Sequence, residues 1–409
     1  MKKLLLFTLV AVSLGTTAEA QFSEFADNPS ASQFTLSSEA NTLQIGGRVS
    51  GFYETRILKD DSNYLKKSHN GWGVKDFDMD FLGKTASKFV YEFHISLIDL
   101  VSAAATNNTA NPANSGIKAA YIQYKGWPVH IKFGYDKVPY SQGSMSEVWG
   151  TPYWSHANLY GGDLFSRRDF GLALNYRFMK DRINLYAGAF SGMGENFFQY
   201  GNDASGTFEY IGRAEFSYPA KMKYHIIDQE NSPTPVFRIA ANARYADKTQ
   251  PKGSSINVDA PDASGAYGIR VISGKRLAYG FDGIVKFKGF SATVEGHMLQ
   301  LKPTDTLDGL YNSTTRSKNN NVVNAGGLNA GLNYNWEKKH SVFSAMYEGF
   351  NANDLYPGTQ EWLYLAYAYK VSGFNSVFKI EYYKPLTEDK VQNPLHYTDQ
   401  IRVGYQIVF

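Results

Sequence analysis

The last nine residues, Ile401-Arg402-Val403-Gly404-Tyr405-Gln406-Ile407-Val408-Phe409, alternate apolar with polar or small positions and stop on an aromatic ring. Side chains along a strand change face at every residue, so Ile401, Val403, Tyr405, Ile407 and Phe409 share one side of a terminal strand. The end of a soluble domain ordinarily frays. A chain that finishes in a two-faced strand with no polar tail needs a partner strand and an apolar environment on one face only.

The same pattern recurs upstream. Over residues 42–57, Leu43, Ile45, Val49, Tyr53 and Ile57 fall on one face, and Gln44, Arg48, Ser50, Glu54 and Arg56 fall on the other. Phe77, Met79 and Phe81 oppose Asp76, Asp78 and Asp80. Phe89, Tyr91, Phe93, Ile95 and Leu97 oppose Lys88, Glu92, His94 and Ser96. Further instances lie at 170–178, 208–216, 237–245, 279–287, 363–369 and 378–382. One face suits lipid and the other suits water.

Lys2 and Lys3 lead into an apolar run over residues 4–14 and then into Ala18-Glu19-Ala20, the layout of a secretory leader cleaved before Gln21. After it, no stretch approaches the roughly 20 apolar residues that a spanning helix needs. Mean hydropathy is only -0.36, yet Tyr (29), Phe (27) and Gly (37) are abundant, as expected of many short strands with one lipid-facing side. The chain has 41 basic and 38 acidic residues; a leader holding two Lys and one Glu leaves 39 and 37. That balance gives no case for a nucleic-acid partner. With no Cys there are neither disulfides nor thiolate metal sites, and no lipid-anchored cysteine after the leader.

Connectors alternate in length. Short ones fall at 83–87, 125–128, 179–182, 288–289, 336–340 and 371–375, and long polar ones at 59–71, 102–116, 136–168, 191–207, 247–275 and 302–321. The fold class that follows is all-β: a transmembrane antiparallel β-barrel of about sixteen strands, with short periplasmic turns and long extracellular loops. Backbone amides in hydrocarbon find no water, so the first strand, 42–57, must close on the last, 397–409. The expected organisation is a signal peptide over 1–20, a periplasmic lead-in or small plug over 21–41, and a barrel over 42–409 whose third loop, 136–168, folds inward. Trp127 and Trp336 in short turns fit an interfacial girdle. The connector 219–235 is long on the short-turn side, and the pattern gives no reason for it.

Two resemblances sharpen this. The terminal strand resembles the closing strand of bacterial outer-membrane barrels, whose terminal Phe and alternate apolar positions are read by the barrel-assembly machinery. Ala120-Tyr121-Ile122-Gln123-Tyr124-Lys125-Gly126-Trp127-Pro128, Lys137-Val138-Pro139-Tyr140-Ser141 and Arg167-Arg168-Asp169-Phe170-Gly171 together resemble the phosphate-selective porin O and P family over roughly residues 118–178. The resemblance implies a sixteen-stranded trimeric porin in a Gram-negative outer membrane, surrounded by lipid and lipopolysaccharide, with the third loop narrowing the bore. The family's second strand is Arg-rich, whereas this chain carries Asp76, Asp78 and Asp80 there, so general trimeric porins are the better-matched subgroup.

On that layout the expected pore lining is Arg48, Glu54, Arg56, Asp76, Asp78, Asp80, Glu92, Lys132, Arg177, Arg213, Glu215, Arg238, Arg244, Glu295, Lys379, Glu381 and Arg402. Walls of opposite sign orient hydrated solutes and make passage of bulky apolar ones costly; the plainer alternative is that these charges only solvate a lumen. The expected constriction charges are Lys137, Glu147, Asp163, Arg167, Arg168 and Asp169, within a loop dense in rings that would be wasted in solvent. A loop used outwardly for trimer contacts is the alternative.

Other motifs fail on spacing. Asp76-x-Asp78-x-Asp80 lacks the Gly and Glu of a calcium loop, having Phe81 and Ser87 at those positions. Gly274-Lys275-Arg276 resembles a phosphate-binding loop but lacks the earlier Gly and the following Ser or Thr. The eight His are scattered singly, so neither a metal cluster nor a triad emerges; His94 beside Glu92 is the nearest approach to a barrel hydrolase, and no nucleophile is marked. The expectation is a non-enzymatic, cofactor-free channel for small hydrophilic solutes or ions. The alternatives are a plugged barrel acting as adhesin or structural protein, and a channel specific for phosphate or for hydrophobic compounds.

Overall fold

The computed structural model describes residues 34–57, 70–86, 88–106, 116–157, 159, 166–194, 197–200, 206–248, 274–303, 322–351, 359–387 and 399–409. The leader expected over 1–20 and most of the lead-in and of the longest connectors lie outside them.

A short strand, β1 (Phe34–Ser37), precedes sixteen strands that pair antiparallel in chain order: β2 (Asn41–Ile57), β3 (Gly71–Thr85), β4 (Phe89–Ser96), β5 (Ile117–Tyr124), β6 (Val129–Lys137), β7 (Arg168–Phe178), β8 (Ile183–Phe190), β9 (Glu209–Tyr218), β10 (Val236–Lys248), β11 (Gly274–Phe287), β12 (Phe290–Pro303), β13 (Val323–Trp336), β14 (Ser341–Asn351), β15 (Gln360–Ser372), β16 (Ser376–Pro385) and β17 (Asp399–Val408). β17 then pairs with β2, from Asp399↔Ile57 to Val408↔Arg48, so the sheet closes into a barrel with no open edge in the apolar layer.

Period-two burial runs around the wall. On β9, Glu209, Ile211, Arg213, Glu215 and Ser217 are buried while Tyr210 and Tyr218 are exposed. On β10, Arg238, Asn242, Arg244 and Lys248 are buried while Ile239 and Tyr245 are exposed. Directly opposed residues share a face, and the register sets Glu215 beside Ala240 and Arg213 beside Asn242, all pointing inward. The outer surface carries the apolar side chains, including Phe281, Val285, Leu328, Leu332 and Leu365. At the short-turn rim the outward rings touch one another: Tyr124 with Trp127 and Phe89, Phe290 with Tyr334, and Phe343 with Tyr367. Exposed Trp127 and Trp336 both stand at this rim, where an amphipathic ring has its apolar body in lipid and its N–H in water.

The strands are unequal. β10 to β13 have 13 or 14 residues, β4 and β5 only 8. The apolar alternation of β4 stops at Ser96, and the chain turns at Leu97 into a helix, α1 (Leu97–Thr106), that the sequence pattern did not anticipate. An ion pair between Asp99 and Lys118 ties α1 to β5.

The seam between first and last strands depends on a close approach. Phe409 exchanges both backbone hydrogen bonds with Gly47, at 2.7 and 3.0 Å. Below that point β17 has ended, and β1 takes over the same edge of β2, pairing Phe34↔Ile45 through Ser37↔Thr42. A Cβ on Gly47 would lie 2.7 Å from the Asp78 carbonyl oxygen and 2.8 Å from the Phe409 ring, and the first of these is backbone that cannot yield. Gly47→Val is therefore expected to cost about 3 kcal/mol of seam stability, read as a downward shift in the temperature at which the barrel loses its compact mobility on unheated denaturing gels; a variant as heat-resistant as the parent would refute the close-packing account.

Candidate functional site: a lumen crossed by its third loop

Residues 138–157 run through the barrel interior, and nearly all are buried. Irregular backbone at membrane depth must find hydrogen-bond partners, because lipid supplies none. The wall supplies them. Carboxylates on the far strands accept from the loop's amides: Asp282 from Gln142 N–H (3.2 Å), Glu295 from Gly143 N–H (2.8 Å), Glu348 from Leu159 N–H (2.6 Å), and Glu381 from Trp154 N–H. Cations and amides donate to its carbonyls: Arg213 to Tyr140 (2.7 Å), Gln406 to Trp149 (2.9 Å), Lys379 to Tyr153 (3.4 Å) and Arg244 to Ser166 (3.0 Å). A short helix, α2 (Gln142–Met145), starts at a Ser141–Ser144 capping box that satisfies two amides locally. The rings seat the loop against the wall: Trp154 on Phe52 (5.3 Å), Tyr153 on Tyr364 (6.4 Å) and Tyr140 on His297 (5.0 Å).

The loop therefore divides the inward-facing charges. Arg213, Glu215, Arg238, Arg244, Glu295, Lys379 and Glu381 all point inward, but none is more than 3% exposed. On β9 to β16 the expected lining is thus covered by the loop or, at Arg238, by residues Met222 and Tyr224 of the connector after β9, with Arg213 bridging Glu215 at 2.7 Å and Asp282, and Arg244 pairing with Glu209 at 2.7 Å. These groups do not face water. The other group stays partly open. Side-chain exposure is 22% at Asp76, 18% at Asp80, 20% at Arg56 and 20% at Arg402. Along this strip Arg48 pairs with Asp78 and, at 3.5 Å, with Asp76; Glu54 joins Arg56 and Arg402, both at 2.7 Å. His94 lies between Asp78 (3.3 Å) and Asp80 (3.2 Å), and Tyr121 donates to Glu92 at 2.8 Å. Asp80, Glu92 and His94, which spacing along the chain did not group, each bring one side-chain ligand atom within 4.8 Å of the others. Lys132 pairs with Asp136, and Arg177 donates to Asn175 at 2.9 Å.

Of the expected constriction charges, Glu147 is the hub. Lys137, Arg167 (3.3 Å) and Arg168 (3.8 Å) converge on its carboxylate. Burial pushes the Glu147 pKa up, but Lys137, Arg167, Arg168 and Arg48 outweigh it and hold the group well below the usual carboxylate range. Asp169 serves another purpose: fully buried, it accepts from the amides of Phe170 (2.7 Å) and Gly192 (2.6 Å) and fixes the start of β7, where the loop rejoins the wall. Asp163 lies outside the described residues. Ile401, Val403, Tyr405, Ile407 and Phe409 take the outward face of β17, the opposite face to Gln406 and Arg402. Asp282, Glu348, Gln406 and Asp228 were missed as anchors. The first three occupy inward positions of the strand alternation and could have been found by parity; Asp228, in a connector, had no such signal.

No family model matches the chain, and no curated protein matches it in sequence. Solved structures do share its architecture: the anion-selective porin from Comamonas acidovorans (9% identity, covering 90% of this chain and 100% of that one, TM-score 0.56), OmpT of Vibrio cholerae (11%, 92% and 100%, 0.53) and the outer membrane channel DcaP of Acinetobacter baumannii (11%, 91% and 99%, 0.52). The chain has the sixteen-stranded fold of outer-membrane porins. Identities this low speak to fold alone, and the resemblance to phosphate-selective porins gains nothing from them.

Two outcomes follow. Glu147→Gln leaves three cations clustered without their shared counter-charge, which is expected to weaken loop docking by about 3 kcal/mol and to make the loop cleavable by added protease; an equally resistant loop would contradict the hub. Burial, with Arg167, Lys75 and Arg168 nearby, holds His156 well below its ordinary pKa. A docked loop then refuses a proton that a released loop accepts, so docking is at full strength above about pH 6.5 and weakens at lower pH by at most about 1.4 kcal/mol per unit. Acid-dependent protease cleavage should appear in the parent and be blunted in His156→Gln.

Proposed function

We propose that this protein is a passive diffusion channel of a Gram-negative outer membrane, passing small hydrophilic solutes or ions through the part of the lumen that its third loop leaves open. The carrying observation is the asymmetry of the interior: one half is packed, while β2 to β4 and β17 present paired, partly exposed charges. Alternating charges on opposed walls replace the hydration of a polar solute and offer nothing to an apolar one, which favours hydrophilic cargo over hydrophobic compounds. The outward rings and aliphatic side chains meet outer-membrane lipid and lipopolysaccharide, and the outward face of β17, ending in Phe409, is the surface offered to the barrel-assembly machinery. A homotrimer is part of the proposal. One OmpT structure of Vibrio cholerae is described as a trimer form (13% identity, 91% and 100% coverage, TM-score 0.51), and the short strands β4 and β5 with α1 give this barrel one low side.

The packed half is also the observation that favours the second reading, a plugged barrel with a structural or adhesive role. Purified protein in a planar bilayer under a salt gradient separates the two. A channel gives stepwise conductance, and Asp76→Asn with Asp80→Asn is expected to shift the reversal potential toward anions, changing the permeability ratio about twofold. A silent bilayer at high protein load would overturn the channel reading, and an unmoved reversal potential would show that this strip does not line the path.

A further inference from the structure

The connector between β9 and β10, residues 219–235, sits on the side of the barrel where every other described turn is short. It does not hang below the barrel. Met222, Tyr224, Ile227 and Asp228 are buried, with Ile227 at 0% exposure. Ile227 packs against Val342, Ala368, Phe374 and Val377, which belong to β14, β15 and β16 and to the turn between the last two, so the segment reaches across the mouth from β9 and β10 toward the opposite wall.

Its anchorage is specific. The Asp228 carboxylate accepts from Gly289 N–H at 2.9 Å, in the β11–β12 turn, and from Ser232 N–H at 2.9 Å and Ser232 Oγ at 2.8 Å. Asn335 donates to the Asp228 carbonyl at 3.0 Å, and Ser291 donates to the Ile226 carbonyl at 2.7 Å. It also meets the third loop from below: Gln142 donates to the Tyr224 carbonyl at 2.8 Å, Gln229 donates to the Gly150 carbonyl at 3.1 Å, and Met145 packs on Tyr224 and Tyr186.

We infer that residues 219–235 form a built-in periplasmic plug, which stacks under the third loop, seals the β9 to β16 half of the bore from the periplasmic end, and confines permeation to a side channel along β2 to β4 and β17. The inference rests on the channel reading above and adds a second, independent determinant of pore size. The loop alone narrows the bore at one height. The two together close half of it through much of its depth, so solutes too large for the side channel are refused from the periplasmic side as well as from outside. The buried wall charges on that half are consistent with this, because they bond to loop and connector backbone instead of facing a water column.

The test compares the parent with two variants in planar bilayers: Ile227→Glu with Asp228→Ala, which releases the plug without touching the seam, and replacement of residues 221–231 by a short Gly-Ser turn. Each variant is first shown to keep compact mobility on unheated gels. The expected result is a steady rise in single-channel conductance of about twofold, with larger neutral polyethylene glycols admitted from the periplasmic side. A parent that conducts and variants with the same conductance and the same polymer cut-off overturn the plug while leaving the channel reading intact. A rise in current noise without a rise in mean conductance also overturns it, by showing the connector to be only a brace for the loop. Silence from parent and variants alike overturns the channel reading itself.

Discussion

An irregular loop inside a membrane barrel carries a row of amides and carbonyls that neither lipid nor a regular ladder can satisfy, and the rest of this interior is arranged around meeting them. Asp282, Glu295, Glu348 and Glu381 take the amides; Arg213, Arg244, Lys379 and Gln406 give to the carbonyls. Hydrogen bonds to ionised groups are about twice as strong as neutral ones, and each buried ion is compensated by a backbone group or an opposite charge. The loop and the charged wall thus require each other: without the loop the charges would face water, and without the charges the loop could not lie where it does.

The barrel makes this possible by separating its two solvents. Sixteen strands closed through the β17–β2 seam leave no edge for lipid to meet, and the outward parity is predominantly apolar along the strands. The inward parity is then free to carry a concentration of ionisable groups that a soluble core could not hold, because they can be paired along a strand or across one or two ladder spacings. Arg48 with Asp76 and Asp78 and Glu209 with Arg244 join neighbouring strands, Arg213 takes Glu215 two residues along its own strand, and Arg213 with Asp282 and Glu209 with Arg276 reach across β10. The interior is consequently neither a hollow tube nor a uniform core. It is packed from β9 round to β16 and lined by partly open charges along β17 and β2 to β4.

Much of this was legible in the residues. The period-two alternation named the strands, and alternation of connector lengths named the two rims, because those are properties of consecutive residues. The ring-dense stretch around Trp149, Tyr153 and Trp154 pointed to an inward loop for a sound reason: so much apolar surface has to be covered by something. The helix α1 was not legible, since residues 97–106 continue an apolar run whose period is ambiguous over so short a length. The plug-like connector was invisible for a different reason. Ile226, Ile227 and Asp228 look unremarkable in a Pro- and Lys-containing stretch, and their burial depends on residues more than a hundred positions away.

The chain by itself determined most of which side chains face inward, because parity runs on through a strand wherever no bulge interrupts it, as one does at Lys75. It also determined that the two ends must meet, because an unpaired edge cannot persist in hydrocarbon. Only the tertiary structure decided which inward charges see water. Arg56 and Lys379 look alike along the sequence, each a cation at an inward position of an alternating strand. One lies beside open lumen and the other under Tyr153 and Trp154, and that difference comes from where two distant connectors fold back into the bore.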